Sequence, residues 1–295
     1  MRSLISIDDL TDRDLEAILA SARRFRRTRS SPESGPPRLL SLVFLETSLR
    51  TRVGFTAAAV RLGWRTVEVV ERRHSPASML ERWADTLRCV AGYSDAIVAR
   101  PGQPIGQQDA VIAGPCALIN GGDVGPSAQH PSQALIDYFA IEEFIGPVGG
   151  LSIAIVGDPR MRAVRSLSAL LARRLPKRLT FVADPEHLQE LRLPAALAAL
   201  TAFASWADVG ATDVVYVAGI PHGALPQERR DALRATTART EALPPGCLLL
   251  SPMPVIDEMD DYVRTSPRNR MFEQSDLGLF VRMAILEHVT GKRPA

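Results

Sequence analysis

Segments typical of β-strands alternate with segments typical of helices along almost the whole chain, and the alternation occurs twice. Short runs rich in Val, Ile and Leu predict buried strands at 39–45, 66–70, 95–99 and 116–119. Because strands that are apolar on both faces need helices to cover them, this pattern predicts a parallel sheet between layers of helix.

A cluster of glycine and proline at 146–150 interrupts the pattern, which then begins again. Strands are predicted at 151–156, 179–182, 213–217 and 247–250. Helices are predicted at 7–27, 51–62, 79–93, 132–144, 162–173, 185–200, 226–237 and 277–290. The second half of the chain therefore repeats the architecture of the first.

The repeat predicts an α/β protein of two domains, each a doubly wound parallel sheet. The first domain is expected to span residues 1–146, completed by the C-terminal helix 277–295, and the second to span 147–276. Ligands of such sheets bind beyond the carboxyl ends of the strands, so the active site is expected in the cleft between the two domains.

The composition excludes several classes of function. The chain is 46% hydrophobic and 23% charged with a formal net charge of +2, which favours neither a nucleic-acid nor a membrane partner. It shows no signal peptide and no apolar run of the ~20 residues that span a bilayer, so we expect a cytoplasmic protein. Its three cysteines and five histidines are scattered, which predicts buried thiols, no metal site and no cofactor.

The segment Glu46–Arg52 lies between a predicted strand and a predicted helix. Ser48 is a natural N-cap, and the helix after it offers free backbone N–H groups and the positive end of its dipole. The hydroxyls of Ser48 and Thr51 and the guanidinium of Arg50 would complete a phosphate cradle. The alternative is that Ser48 and Thr51 only cap a helix whose arginines lie on its surface.

This segment resembles the Ser-Thr-Arg-Thr-Arg phosphate motif of the aspartate/ornithine carbamoyltransferase family, with Leu49 at the second position. In the family that position acts chiefly through its backbone. The resemblance therefore implies that Ser48, Leu49, Arg50 and Thr51 bind the phosphate of carbamoyl phosphate.

Further family motifs follow in the same order and cover nearly the whole chain. Asp95–Arg100 resembles a strand whose final arginine contacts the carbamoyl oxygen and the phosphate. Gln129–Gln133 resembles a loop whose histidine polarises the carbamoyl carbonyl and whose glutamine holds the carbamoyl amide. Ser251–Glu258 is similar to a loop whose backbone carbonyls accept from the carbamoyl NH2. The carbamoyl phosphate site that the resemblance implies therefore also includes Arg100, His130, Gln133, Met253 and Pro254.

The resemblance implies that an amine attacks the carbamoyl carbon while phosphate leaves. Negative charge grows on the carbonyl oxygen, where Thr51, Arg100 and His130 would form an oxyanion site. Arg50 would stabilise the departing phosphate, which makes these four the implied catalytic residues. Positioning and electrostatics then suffice, without a covalent enzyme intermediate.

The acceptor side departs from the family. Members acting on aspartate carry a loop lysine, contributed by a neighbouring subunit, where this chain has Met79. They carry an arginine and a glutamine where this chain has Gly219 and Pro221. Arg162 aligns with the family's binder of the acceptor α-carboxylate, although the alignment needs a gap and leaves Arg160 as a competing candidate.

Two more family residues are replaced, by Ser251 and Val255, and the loop that recognises ornithine is absent. Desolvating both carboxylates of aspartate without partners would cost several kcal/mol. Aspartate is therefore expected to bind poorly unless other side chains substitute, and the candidates for that role are Arg72, Arg73, Arg82 and His222.

The resemblance implies a carbamoyltransferase related to pyrimidine biosynthesis, acting on carbamoyl phosphate and on aspartate or another small carboxylate-bearing amine. One alternative is an inactive paralogue that serves as a binding or assembly subunit, and another is aspartate activity through a rewired acceptor site. The family also implies a homotrimer with shared active sites, to which the arginine-rich loop 72–82 would contribute. The sequence does not determine whether a regulatory or dihydroorotase-type partner chain exists.

Overall fold

The computed structural model describes residues 2–29, 36–70, 81–221 and 223–291. The chain separates into two compact units, a first unit of residues 1–132 with 277–295 and a second unit of residues 133–276. In the described part each unit contains one sheet, and all strand pairings within the two sheets are parallel. The predicted fold class, α/β with two parallel sheets, is confirmed, and the domain limits at 146 and 147 stay a prediction.

The first unit contains a four-stranded sheet of order β2-β1-β3-β4. Its strands are β1 (Leu39–Phe44), β2 (Arg65–Val70), β3 (Ala96–Arg100) and β4 (Ala117–Asn120). Its helices are α1 (Asp12–Thr28), α2 (Leu49–Arg61), α3 (Trp83–Ala91) and α4 (Gln107–Ala113). The central strand β1 is almost wholly buried, as expected for a run of apolar residues covered on both faces.

The register of this sheet positions the candidate site. Phe44 at the end of β1 pairs with Arg100 at the end of β3, so the loop after β1 begins beside Arg100. Helix α5 (Pro131–Phe144) follows the loop after β4. Three of the sequence motifs therefore follow the carboxyl ends of neighbouring strands of one sheet.

The second unit contains a five-stranded sheet of order β7-β6-β5-β8-β9. Its strands are β5 (Ser152–Val156), β6 (Arg178–Val182), β7 (Thr201–Phe203), β8 (Val214–Val217) and β9 (Leu248–Leu250). Its helices are α6 (Arg162–Arg173), α7 (Pro185–Gln189), α8 (Ala195–Ala198), α9 (Gln227–Leu233), α10 (Thr237–Glu241) and α11 (Asp261–Thr265). The long final helix α12 (Met271–Thr290) begins in the second unit and belongs to the first unit from Leu277 onward. Apolar side chains of β5, β8 and β9 contribute to a core in this unit.

Several predicted helices are wrong in extent. The predicted helix 7–27 is a short 3-10 helix at Ile7–Asp9 followed by α1, and the predicted helix 277–290 already begins at Met271. The predicted helix 185–200 is two short helices, α7 and α8, because Pro194 at the start of α8 cannot continue a helix from α7. The predicted helix 226–237 ends at Leu233, and Thr236 caps a separate helix by accepting a hydrogen bond from the Arg239 backbone. Helices α4 and α11 and the edge strand β7 lie in segments that the periodicity did not predict.

Gly157 brings the ends of β5 and β8 close together. Its φ is +119°, and a Cβ there would lie 2.4 Å from the carbonyl oxygen of Ala218. Only glycine fits both constraints. The loops that follow these two strands, which include Arg160 and Gly219, are therefore held side by side.

Candidate active site

The N-terminus of α2 forms the predicted phosphate cradle. Ser48 is the N-cap residue with an extended backbone, but its side chain makes no capping hydrogen bond. Ser48 therefore occupies the N-cap position without making the hydrogen bond of an ordinary cap. Thr51 is buried in the first turn of α2, whereas Leu49 and Arg50 are exposed.

Arg282 of α12 packs against α2 and helps to place it. Its guanidinium lies over the ring of Phe55 at 5.7 Å from the centroid. A Cβ added to Gly54 would lie 2.5 Å from the Nη1 atom of Arg282. The glycine after the phosphate motif thus leaves room for this buried side chain.

Two arginine side chains lie near one another at the edge of the first sheet. Partial desolvation of the Arg50 guanidinium lowers its pKa, and the positive charge of Arg100 lowers it further. Burial also lowers the pKa of Arg100, and the carboxylate of Glu46 opposes this change. Nε of Arg100 donates to Oε2 of Glu46 at 3.3 Å. Two neighbouring guanidinium groups and one carboxylate leave excess positive charge that suits a phosphate dianion.

His130 and Thr51 are brought together by the fold. Nε2 of His130 lies 3.5 Å from Oγ1 of Thr51, and Nδ1 of His130 lies 3.4 Å from Oγ of Ser132. Both contacts are at the long end of the hydrogen-bond range, and all three side chains are buried. If Nε2 of His130 donates a hydrogen bond to a ligand, the hydroxyl of Thr51 would therefore lie beside it.

Asp123 fixes the loop that leads to His130, a role that the sequence analysis missed. Its two carboxylate oxygens accept from the backbone N–H of Ile105 at 3.0 Å and of Gln129 at 2.6 Å. Glu46 was missed as well. It belongs to the segment Glu46–Arg52, but its partner Arg100 lies 54 positions away in the chain.

The remaining residues of the predicted carbamoyl site lie in the second unit. Gln133, in the first turn of α5, donates from Nε2 to Oδ1 of Asp137 at 2.7 Å. The peptide bond between Met253 and Pro254 is cis, and Met253 has a φ of +52°. The backbone N–H of Met253 donates to Oγ of Ser251 at 3.2 Å, which holds the start of this loop.

The two arginines proposed for the acceptor carboxylate differ in their surroundings. Arg160 makes a two-pronged pair with the buried Asp158, with both distances 3.0 Å, and also donates to Glu190. Arg162 is the first residue of α6. Arg160 is therefore already paired with two carboxylates. The assignment of the acceptor carboxylate to Arg162 stays a prediction.

The loop after β8 is held in place by hydrogen bonds to its backbone. The N–H of Ile220 donates to Oε1 of Glu258 at 3.0 Å, and Nη1 of Arg230 donates to the carbonyls of Ile220 and Pro221 at 3.1 and 3.3 Å. A side chain at Gly219 would meet Glu258 and Met161 at 3.8 Å. The segment from Gly219 to Pro221 therefore presents no side-chain donor.

A sequence model of the carbamoyl-P binding domain of aspartate/ornithine carbamoyltransferases matches residues 2–143. The aspartate carbamoyltransferase catalytic subunit of Methanocorpusculum labreanum is 30% identical to this chain, over 98% of both. The corresponding subunit of Archaeoglobus fulgidus is 32% identical, over 98% of this chain and 99% of the relative.

This chain belongs to the aspartate/ornithine carbamoyltransferase family. The crystal structure of the catalytic subunit of M. jannaschii aspartate transcarbamoylase has a TM-score of 0.83 at 31% identity and covers 98% of both chains. The Trypanosoma cruzi aspartate transcarbamoylase in complex with carbamoyl phosphate and aspartate has a TM-score of 0.84 at 28% identity, over 98% of this chain and 95% of the other. The predicted family and enzyme class, a carbamoyltransferase, are confirmed.

Some predictions about this carbamoyltransferase fall on residues outside the described ranges, namely Met79, Arg72, Arg73 and His222. Arg82 is described and lies exposed before α3. The residue roles inferred from the family motifs stay predictions.

The cysteines of this family member lie in different environments. Cys116 and Cys247 are buried, and burial raises the pKa of each thiol to about 12, which makes them unreactive. Cys89 is exposed, so the prediction that it is buried was wrong. Among the residues that the structure describes, no three His, Cys, Asp or Glu side chains are grouped to hold a metal ion, and no helix has the length and hydropathy to cross a bilayer.

Proposed function

We propose that this protein transfers the carbamoyl group of carbamoyl phosphate to the amino group of aspartate or another small carboxylate-bearing amine. The observation that carries the proposal is the pairing of Thr51 with His130 on the same unit as the cationic cluster of Arg50 and Arg100. These four side chains supply the two kinds of donor that the reaction needs, one for the phosphate and one for the carbonyl oxygen. With aspartate as acceptor, the reaction would belong to pyrimidine biosynthesis.

The phosphate would bind at the N-terminus of α2. Its oxygens would accept from the free N–H groups of residues 48–51 and from the hydroxyl of Ser48, which no capping bond occupies. Arg50 and Arg100 would pair with the dianion, and Arg100 would then divide its donors between the ligand and Glu46. The same contacts would stabilise phosphate as it leaves.

His130 would donate from Nε2 to the carbamoyl oxygen. The hydroxyl of Ser132 lies 3.4 Å from Nδ1 and would donate to that nitrogen, which keeps the proton of the neutral ring on Nε2. One such oxyanion donor contributes about 10²–10³ in rate. The hydroxyl of Thr51 and the guanidinium of Arg100 would support the same developing charge.

The acceptor is expected to bind through Arg162, which would take the α-carboxylate. We expect aspartate to bind weakly because the loop at Gly219 and Pro221 offers no donor for a second carboxylate. This part of the proposal names the acceptor as a class, small amines that carry a carboxylate. No observation favours the alternative of an inactive paralogue.

We also propose that the protein is a homotrimer. Helix α2 exposes an apolar stripe of Leu49, Val53 and Val60, whose side chains are 65, 54 and 61% exposed. Val67 on the edge strand β2 is exposed as well, at 47%. A stripe of this kind beside the phosphate cradle is suited to burial against a second copy. We propose in addition that this protein is located in the cytoplasm.

The proposal is tested by incubating the protein with carbamoyl phosphate labelled on its carbon and a panel of amines. The panel should include aspartate, asparagine, β-alanine, alanine and ornithine, with the labelled product separated by chromatography. We expect a carbamoylated product from at least one carboxylate-bearing amine. Binding of a phosphonate analogue without product from any amine would favour the inactive paralogue, and absence of both would refute the proposal.

A further inference from the structure

A buried carboxylate, Asp137, lies at the centre of a hydrogen-bond network in the second unit. Its side chain is 0% exposed. Oδ1 accepts from Nε2 of Gln133 at 2.7 Å and from Nε2 of Gln274 at 2.6 Å, while Oδ2 accepts from the hydroxyl of Tyr216 at 2.7 Å. Burial of a carboxylate is unfavourable unless donors surround it, and here three donors do so.

The network extends from Asp137 to the loop that contains Met253 and Pro254. Oε1 of Gln274 accepts from the backbone N–H of Ser251 at 2.9 Å. The hydroxyl of Ser251 in turn accepts from the N–H of Met253. One carboxylate therefore anchors both parts of the chain to which the family motifs assign the carbamoyl NH2 group.

The chemistry of the carboxylate sets the orientation of both amides. An ionised carboxylate only accepts hydrogen bonds, so each glutamine must turn its NH2 group towards Asp137. The carbonyl oxygen of Gln133 then faces away from Asp137 and is presented as an acceptor. Tyr216 serves as a donor at neutral pH, because burial and then the charge of Asp137 raise its pKa well above the ordinary value.

We infer that Asp137 is a positioning residue for recognition of the carbamoyl NH2 group. It acts through Gln133, whose oxygen it orients, and through Gln274, which holds the loop before Met253. This inference rests on the proposed function, since it assumes that carbamoyl phosphate is the ligand. A purely structural role would stabilise the second unit without favouring an NH2 group over a methyl group.

The test compares two ligands that differ only at this group. Phosphonoacetamide carries the NH2, and 2-oxopropylphosphonate replaces it by CH3; both are titrated by calorimetry. We expect the wild-type protein to prefer the amide by about tenfold or more, the value of one to two hydrogen bonds. In Asp137→Leu the preference should fall to less than about threefold, while the affinity for the methyl ketone changes by less than about threefold.

Two further variants separate positioning from stability. Tyr216→Phe removes a hydrogen bond to the other oxygen of the same carboxylate, so it should lower the melting temperature and keep the preference for the amide. Asp137→Asn should restore most of the preference, because its oxygen can accept from both glutamines while its NH2 donates to the oxygen of Tyr216. If Asp137→Leu does not fold, Asp137→Ser takes its place in the experiment. The smaller serine side chain leaves room for water to solvate Gln133, Gln274 and Tyr216.

Loss of affinity for both ligands alike in Asp137→Leu or Asp137→Ser would overturn the inference, as would an unchanged preference. Loss of the preference in Tyr216→Phe would also overturn it, because general loosening would then explain the effect. Equal binding of the two ligands by the wild type would show that the NH2 group is not recognised. A wild-type protein that binds neither ligand would instead refute the proposed function.

Discussion

Replacing Arg50 by alanine should remove most of the stabilisation that a carbamoyl phosphate analogue gives to this protein. Arg50 lies in the first turn of α2 and shares the predicted phosphate cradle with Arg100, whose positive charge contributes to lowering the pKa of Arg50. A ligand phosphonate would lose one charged partner in the variant. The stable analogue phosphonoacetamide is suited to the experiment because it does not decompose during a thermal scan.

The size of the effect follows from the thermodynamic linkage between ligand binding and the stability of the folded protein. A ligand at 100 times its dissociation constant stabilises the folded protein by about 2.7 kcal/mol. A charge-assisted hydrogen bond contributes about 1.5–3 kcal/mol, so a loss of about 2 kcal/mol raises the dissociation constant about thirtyfold. At the same ligand concentration the stabilisation then falls to about 0.9 kcal/mol. At about 2 °C per kcal/mol, the wild-type shift in melting temperature of about 5 °C should become about 2 °C.

The assay is a thermal melt with and without ligand, with Arg61→Ala as the matched control. Arg61 is exposed at the other end of the same helix, about 16 Å along its axis, so its removal should leave the ligand shift unchanged. An undiminished shift in Arg50→Ala would refute the phosphate cradle. Equal losses in both variants would show that the effect is one of general charge and does not arise at the site.

The remaining predictions concern the acceptor, the assembly and the fold. The bisubstrate analogue N-(phosphonacetyl)-L-aspartate should bind to this protein at least roughly a hundredfold more weakly than it binds to a site that retains donors at the positions of Gly219 and Pro221. Nanomolar binding measured by calorimetry would contradict this prediction. Light scattering should return about three times the chain mass of 32.1 kDa, and a monomer at micromolar concentration would reject the shared site. Gly157→Ala should lower the free energy of unfolding by about 3 kcal/mol or more in urea, because its Cβ would overlap the Ala218 carbonyl. Gly150→Ala, where a Cβ meets nothing within 4 Å, is the control and should change it by less than about 1 kcal/mol.

Much of the fold was predictable because strand and helix periods differ so clearly in this chain. The helix predicted at 162–173 has the same limits as α6, and each predicted strand overlaps an observed one. The errors lie in short segments, such as the alanine-rich stretch around α8, where helix propensity predicts one helix and Pro194 divides two. Segments of three to five residues carry too few turns of periodicity to be recognised.

The site was predictable only as far as each motif is continuous in sequence. The cradle and His130 come from such motifs, and the fold brings Thr51 and His130 together. The partner of Arg100 is 54 positions away, and the partners of Asp137 in Tyr216 and Gln274 are 79 and 137 positions away. Contacts at such separations are set by the packing of the sheets, and no local pattern reports them.

The most direct test of carbamoyl transfer measures phosphate release and carbamoylated product together, with the most active amine of the panel. We expect release to require the amine, to match the product one to one, and to fall about 10²–10³-fold in His130→Asn. Phosphate release that proceeds equally without an amine would mean hydrolysis in place of transfer. That result, or full activity in His130→Asn, would contradict the account.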